Sequence, residues 1–395
     1  MALRIVADRN IAFAAEAFAP LGDVVTLPSG ELVREAVRDA DLVLVRSTVK
    51  VGAPLLDGSR ARFVATATIG TDHLDTAWLD ARGIRWASAP GSNADSVLEW
   101  WAAALLTIAE RRSAALASLR VGIVGVGAVG GRVERFCRAL GVTPLLCDPP
   151  RARRESETDF TFAEKSETHF TSLDALLPAC DVVTFHVPLT REGEDATHHL
   201  LDERRLGALA PGAWLVNASR GEVVDGAALE RALAAGRPAQ AILDVWEGEP
   251  SPAPSLIERC ALATPHIAGH SLDGKANGTE QIYRAACAFL GVAPSWRARA
   301  ALPPPASPSL RLDTAGRSDE AIVLAALRAA YRIETDDAAL RAIARLPPGE
   351  RAAAFRRHRD HYPARRELRA FTVELSPPRP SAARILTTLG ANVQS

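Results

Sequence analysis

Cysteine is sparse and unpaired in this chain. Cys137, Cys147, Cys180, Cys260 and Cys287 show neither a C-x-x-C nor an even spacing, which argues against a disulfide framework and against a thiolate zinc site. Lysine is rarer still, three residues against 43 arginines, a bias with no functional meaning of its own. Neither sign of charge dominates: the formal net charge is −1, so the balance asks for neither nucleic acid nor an anionic membrane surface as partner. No apolar run approaches the roughly 20 residues of a membrane span, and the first eight residues lack the basic start and apolar core of a secretory signal. The expectation is a cytoplasmic chain for which the sequons at Asn217 and Asn277 are chance. At 395 residues there is room for two or three domains with substantial cores, and small-molecule chemistry is what the exclusions leave.

What is present is an alternation. Short β-rich runs at residues 3–7, 23–27, 42–45 and 63–66 are each followed by a helical pattern, which predicts a parallel sheet covered on both faces. Residues 92–112 read as one long helix, with Ser96 and Glu99 at capping-box spacing and the apolar run WWAAALLTIA. The rhythm then restarts, with strands expected at 121–124, 144–147, 182–185, 214–216, 241–245 and 261–264, the six that a dinucleotide-binding sheet uses. Residues 151–169 are polar and without period, and read as an exposed loop. The segment ALPPPASPS cannot be helical and marks a linker, after which helical patterns at 319–331, 336–344 and 350–361 and a strand at 370–375 follow. The expected fold is α/β: two doubly wound parallel-sheet domains with a smaller C-terminal α+β domain. The first, flavodoxin-like and discontinuous, takes 1–95 and 268–295; the second, a Rossmann domain, takes 96–267; 296–309 is the linker and 310–395 the third domain.

Gly125, Gly127 and Gly130 form G-x-G-x-x-G directly after RVGIV and directly before a helical pattern. In that setting the glycines serve a tight turn, close approach of backbone to a pyrophosphate, and contact of helix with strand. The helix N-terminus adds free N–H groups and a positive dipole end. Asp148 ends the next expected strand, 18 positions after Gly130, where an acid binds ribose hydroxyls and repels a 2′-phosphate. NAD is therefore the expected cofactor, rather than NADP.

Three polar residues follow three successive expected strands. Arg220 comes after AWLVNAS, Glu249 after AILDVWEG and His266 after ALATP, all at the strand ends where open α/β sheets bind ligands. Oxidising a 2-hydroxy acid needs a proton acceptor, an anion clamp and a group that steadies the resulting imidazolium. His266, Arg220 and Glu249 supply these in that order. Each alone has a dull explanation as a loop charge or a satisfied histidine; together, downstream of the glycine motif, they read as catalytic. His73, His186, His198, His199 and His270 show no ligand spacing with carboxylates or thiols, so no metal site is expected.

The segments NASRGEVVD, LDVWEGEP and TPHIAG, downstream of VGIVGVGAVG, resemble the D-2-hydroxyacid dehydrogenases. Within that family, VRSTVKV, FVATATIGTDHLD, SAPGSNADSV, LLCDPPRA and IAGHSLDGKANGT are similar to the branch that oxidises 4-phospho-D-erythronate to 2-oxo-3-hydroxy-4-phosphobutanoate on the way to pyridoxal phosphate. The tail segments YRIETDDAALRAIA and FRRHRDHYPARRE resemble that branch's C-terminal dimerisation domain, which implies a homodimer. The resemblance further implies NAD contacts at Val129, Val187, Asp244 and Gly269 beside the glycines and Asp148, and substrate contacts at Ser47, Thr68 and His270. Val187 stands where the family commonly has Thr, and His270 where it commonly has Tyr. Arg46 and Lys50 are placed near the crevice, where they read equally as donors to a substrate phosphate or as ordinary surface charge.

Two other readings compete. A D-3-phosphoglycerate dehydrogenase would share the catalytic three, but its tail is a regulatory fold with more strands than the helix-rich 310–395. An NADH-sensing corepressor would need a peptide groove, which no sequence feature demands.

Overall fold

The computed structural model describes residues 3–158 and 169–394. The chain forms two compact units: Met1–Ala94 with His270–Pro304 and Ala364–Arg366, and Asp95–Gly269 with Pro305–Pro363 and Glu367–Ser395.

The first unit is built on β1 (Leu3–Asp8), β2 (Gly22–Leu27), β3 (Leu42–Val45), β4 (Phe63–Thr66) and β5 (Arg85–Ala87), all parallel, in spatial order β2-β1-β3-β4-β5. β3 and β4 are buried at every position, the pattern of strands covered on both faces. β5, whose three residues RWA carry no apolar run, is invisible to pattern reading. The strand order reverses between β1 and β3, and Arg46, Ser47 and Thr68 follow the carboxyl ends of β3 and β4.

The second unit carries a six-stranded parallel sheet: β6 (Val121–Val124), β7 (Leu145–Cys147), β8 (Val182–Phe185), β9 (Trp214–Asn217), β10 (Gln240–Leu243) and β11 (Leu262–Ala263), in order β11-β10-β9-β8-β6-β7. The long helix is Ala94–Arg112, and Trp100 and Trp101 on it are fully buried. Both indoles still find partners: Trp101 Nε1 donates to Thr184 Oγ1 on β8, and Trp100 Nε1 donates to Thr264 Oγ1 just past β11, each at 3.0 Å. The expected capping box fails, because the helix begins at Ala94 and Ser96 already lies inside it. Ser96 Oγ instead donates to Glu367 at 2.7 Å, and Glu99 accepts from Leu368 N at 2.6 Å, so both serve tertiary contacts with the C-terminal segment.

The C-terminal segment has a sheet of its own, β12 (Ser309–Asp313), β13 (Thr372–Ser376) and β14 (Asn392–Gln394), again parallel. It groups with the dinucleotide unit because one continuous apolar core runs from Val133 and Phe136 to Ile322, Leu327 and Leu386. β12 begins at the last residue expected for the linker, and β14 and the helix Pro380–Thr388 extend the single strand expected there. The polar stretch after Asp148 is not a loop at its start. The helix Pro149–Thr158 occupies it, opened by two prolines and by Asp148, whose Oδ1 accepts from Arg151 N at 3.0 Å. The remainder of that expected loop, 159–168, lies outside the described residues.

Candidate active site

The turn after β6 is shaped by contacts a side chain would destroy. Gly125 sits at φ +86, and a Cβ there would meet His186 O at 2.6 Å; a Cβ on Gly130 would lie 1.9 Å from Gly125 O. Gly127 differs, since nothing lies within 4 Å of its notional Cβ. Backbone at that point is open to approach, and the helix Gly130–Ala139 that follows Val129 has no side-chain cap on its first turn. Uncapped N–H groups at a helix start beside an unobstructed glycine suit a bound pyrophosphate. Arg132 steadies the turn from below, donating from Nη1 to Ala128 O at 2.7 Å and pairing with Asp95. Asp148, at the end of β7, accepts Val126 N at 2.8 Å through Oδ2. Each of its oxygens keeps a further acceptor direction for a ribose hydroxyl. The neighbouring arginines are engaged: Arg151 donates to Val126 O at 3.0 Å and lies over Phe170, and Arg153 pairs with Asp195. These features fit a dinucleotide.

Val187, just past β8, packs beside Gly125 and offers that turn no hydrogen-bonding group. Its neighbour His186 is held neutral: burial pushes the imidazole down to about 3. Thr184 Oγ1, which accepts from Trp101 Nε1, is also hydrogen-bonded with His186 Nε2 at 3.0 Å.

Arg220 follows β9 through a turn in which Asn217 Nδ2 donates to Arg220 O and Asn217 Oδ1 accepts from Ser219. Glu249 accepts Trp246 N at 2.9 Å through Oε1 and meets His266 Nδ1 at 2.7 Å through Oε2. Burial raises the Glu249 carboxyl, but the His266 ring, the Arg359 charge and the Trp246 N–H together hold it below the ordinary glutamate range. An ionised Glu249 on Nδ1 fixes the neutral tautomer of His266, leaving the Nε2 lone pair free as a base.

His266 itself adopts φ +55, a left-handed conformation costing about 1–3 kcal/mol for a side chain of this kind. The surroundings over-determine it. His266 N donates to Asp244 O at 2.7 Å, and the Asp244 carboxylate accepts Thr264 Oγ1, Ile267 N and Ala268 N at 2.6, 2.8 and 2.9 Å. Burial raises the Asp244 carboxyl. These bonds make Asp244 the organiser of the loop that presents His266, a role spacing alone did not suggest. Gly269 ends the same loop, half-buried.

In the first unit, Ser47 is exposed at the end of β3, while Arg46, Thr68 and His270 are half-buried. Thr68 Oγ1 donates to Gly70 O at 3.2 Å, so Thr66 Oγ1, 2.7 Å away, must donate to Thr68 and itself accept from His73 Nε2 at 2.9 Å. His73 thus orients a candidate substrate contact.

The structure also joins residues that spacing kept apart. His198, His199 and Glu247 come together, with His199 Nε2 on Glu247 Oε1 at 2.8 Å. The two rings stack at 4.1 Å and 19°, so their in-plane lone pairs run side by side instead of converging, and the cluster is a hydrogen-bonded pair with a stacked neighbour.

Residues 99–268 match the family model of the D-isomer specific 2-hydroxyacid dehydrogenase NAD binding domain, and residues 301–390 match a domain of unknown function, DUF3410. The chain is 47% identical over 390 residues to an erythronate-4-phosphate dehydrogenase of Azotobacter vinelandii, covering 98% of this chain and 99% of that one. A Salinibacter ruber protein of the same description is 48% identical over 377 residues, 94% of each. Among solved structures it is similar to the Aquifex aeolicus D-lactate dehydrogenase complexed with NAD and lactic acid, at 25% identity and TM-score 0.57 over 73% of this chain and 95% of that one.

Proposed function

The chain belongs to the erythronate-4-phosphate dehydrogenase family, among the D-isomer specific 2-hydroxyacid dehydrogenases, and on that premise we propose how its residues divide the oxidation of 4-phospho-D-erythronate with NAD. The nicotinamide of NAD, when bound, would supply the acceptor for the hydride leaving C2. Gly127 and Val129 would offer the pyrophosphate backbone N–H groups, in a turn shaped by Gly130 and by Gly125, whose own N–H is donated to Cys147 O at 2.8 Å; Asp148 would take the ribose hydroxyls, and Val187, Asp244 and Gly269 would line the nicotinamide end. Arg220 grips the substrate carboxylate in a bidentate pair and polarises the C2 oxygen as it becomes a carbonyl. His266 Nε2 takes the hydroxyl proton. Glu249, already ionised, then balances the imidazolium formed on the ring it orients.

The observation that carries this reading is the 2.7 Å bond between His266 Nδ1 and Glu249, which leaves Nε2 as the basic atom. Ser47, Thr68 and His270 are the proposed substrate contacts, with Arg46 offered to the phosphate. Thr68 has its own proton committed to Gly70 O and so can only accept from a ligand, which suits a substrate hydroxyl. We place the enzyme in the cytoplasm, as a homodimer formed through residues 310–395, with the domain limits given by the sequence. His266→Ala tests the assignment. Turnover should vanish while NAD affinity, read by fluorescence titration, stays nearly intact; loss of both together would contradict the role given to His266.

A further inference from the structure

β11 is two residues long and lies at the sheet edge, and the chain runs from it directly through Thr264 and Pro265 into His266. So short an edge strand holds its register poorly by itself, since only one neighbour, β10, pairs with it. The C-terminal segment supplies what the sheet does not. Asp337, on the helix Ile333–Ala344, accepts Ala263 N at 2.8 Å, closing the open side of β11. Arg341, four residues on, pairs with Asp337 and donates to Ile257 O and Cys260 O at 3.0 and 2.8 Å, fixing the helix end that leads into the strand. From the next helix, Pro348–Asp360, Arg359 Nε donates to His266 O at 3.2 Å, with its guanidinium 5.9 Å from the buried Phe355 ring.

We propose that Arg359 is a positioning residue for the reaction: it holds the carbonyl of His266 in its left-handed conformation and sets a positive charge against the His266–Glu249 pair. The residues matched to a domain of unknown function thereby act on the catalytic base of their own chain. This rests on His266 being that base, as argued above. Among the described residues, the charged and titratable groups set against the pair are Asp244 from the loop after β10, Arg359 from the C-terminal helix and, on the reading above, Arg220 across the bound substrate. Removing the Arg359 charge while Arg220 stays in place favours proton uptake by His266, Glu249 and Asp244 alike, so the sign of the change does not depend on which residue holds the proton.

The experiment compares Arg359→Met and Arg359→Lys with the full-length parent chain by NMR titration of the His266 imidazole, assigned by its loss in His266→Ala. Arg359→Met should move the midpoint to higher pH, and Arg359→Lys, which keeps the charge, should leave it nearly in place. In turnover, Arg359→Met should lose kcat by on the order of ten- to a hundredfold with KM little changed, and Arg359→Lys should show part of that loss, because the planar Nε donor is gone. An unmoved midpoint in Arg359→Met overturns the proposal even if stability and kcat fall, since a purely structural role would cost those alone. The titration needs no substrate, so a parent chain that fails to oxidise 4-phosphoerythronate would refute the functional reading while this test still decides the role of Arg359.

Discussion

Three glycines in one turn are not equivalent, and their difference is measurable. A Cβ at position 130 would sit 1.9 Å from a backbone oxygen that cannot retreat, so Gly130→Ala should unfold at clearly lower temperature. At position 127 nothing lies within 4 Å, so Gly127→Ala should melt like the parent yet bind NAD more weakly, because the methyl group fills space left for the pyrophosphate. Calorimetry and NAD titration on the two variants check this; equal melting losses would contradict the separate roles. His186 gives a pH dependence. Its folded value near 3 lies below the ordinary value of about 6.5, so the unfolded chain takes up a proton that the folded chain refuses. Stability should therefore decline as pH falls from about 6.5 toward 3, and His186→Gln should flatten that decline in a series of melts.

At the level of elements, the presentation of His266 depends on a relay: Trp100 donates to Thr264, Thr264 to Asp244, and Asp244 accepts the N–H groups of Ile267 and Ala268. Thr264→Val would strand the buried Trp100 N–H, costing about 1–3 kcal/mol, and loosen the loop. The melting temperature should fall and kcat with it; an unaltered kcat would mean the relay only stabilises. The strands β3, β4, β6 and β8 were legible because each is a fully apolar four-residue run between turn signals or close to it, and Arg220, Glu249 and His266 were singled out because each follows an expected strand end. Legibility ended where the cause was tertiary. Ser96 and Glu99 have capping spacing but answer to residues 367 and 368, and Arg359 meets a carbonyl 93 positions away. β5 and β14 are three residues each and exist through their neighbours. His199 and Glu247, 48 apart, are joined only by the fold.

For the whole molecule, residues 305–363 and 367–395 share the core of the dinucleotide unit, so they should melt with it. Added NAD should raise that transition, by about 2.7 kcal/mol at a hundredfold excess over its dissociation constant, with hydrogen exchange in the C-terminal helices slowed along with the glycine turn. If the proposed dimer forms, sedimentation should report about twice 42.0 kDa. Among the described residues no helix is long and apolar enough to cross a membrane. The direct measurement is NADH absorbance after mixing the purified chain with NAD and, separately, 4-phosphoerythronate, 3-phosphoglycerate and D-lactate. Turnover of the first alone is the predicted result; turnover of another in its place, or NADH binding with no turnover of any, would contradict it.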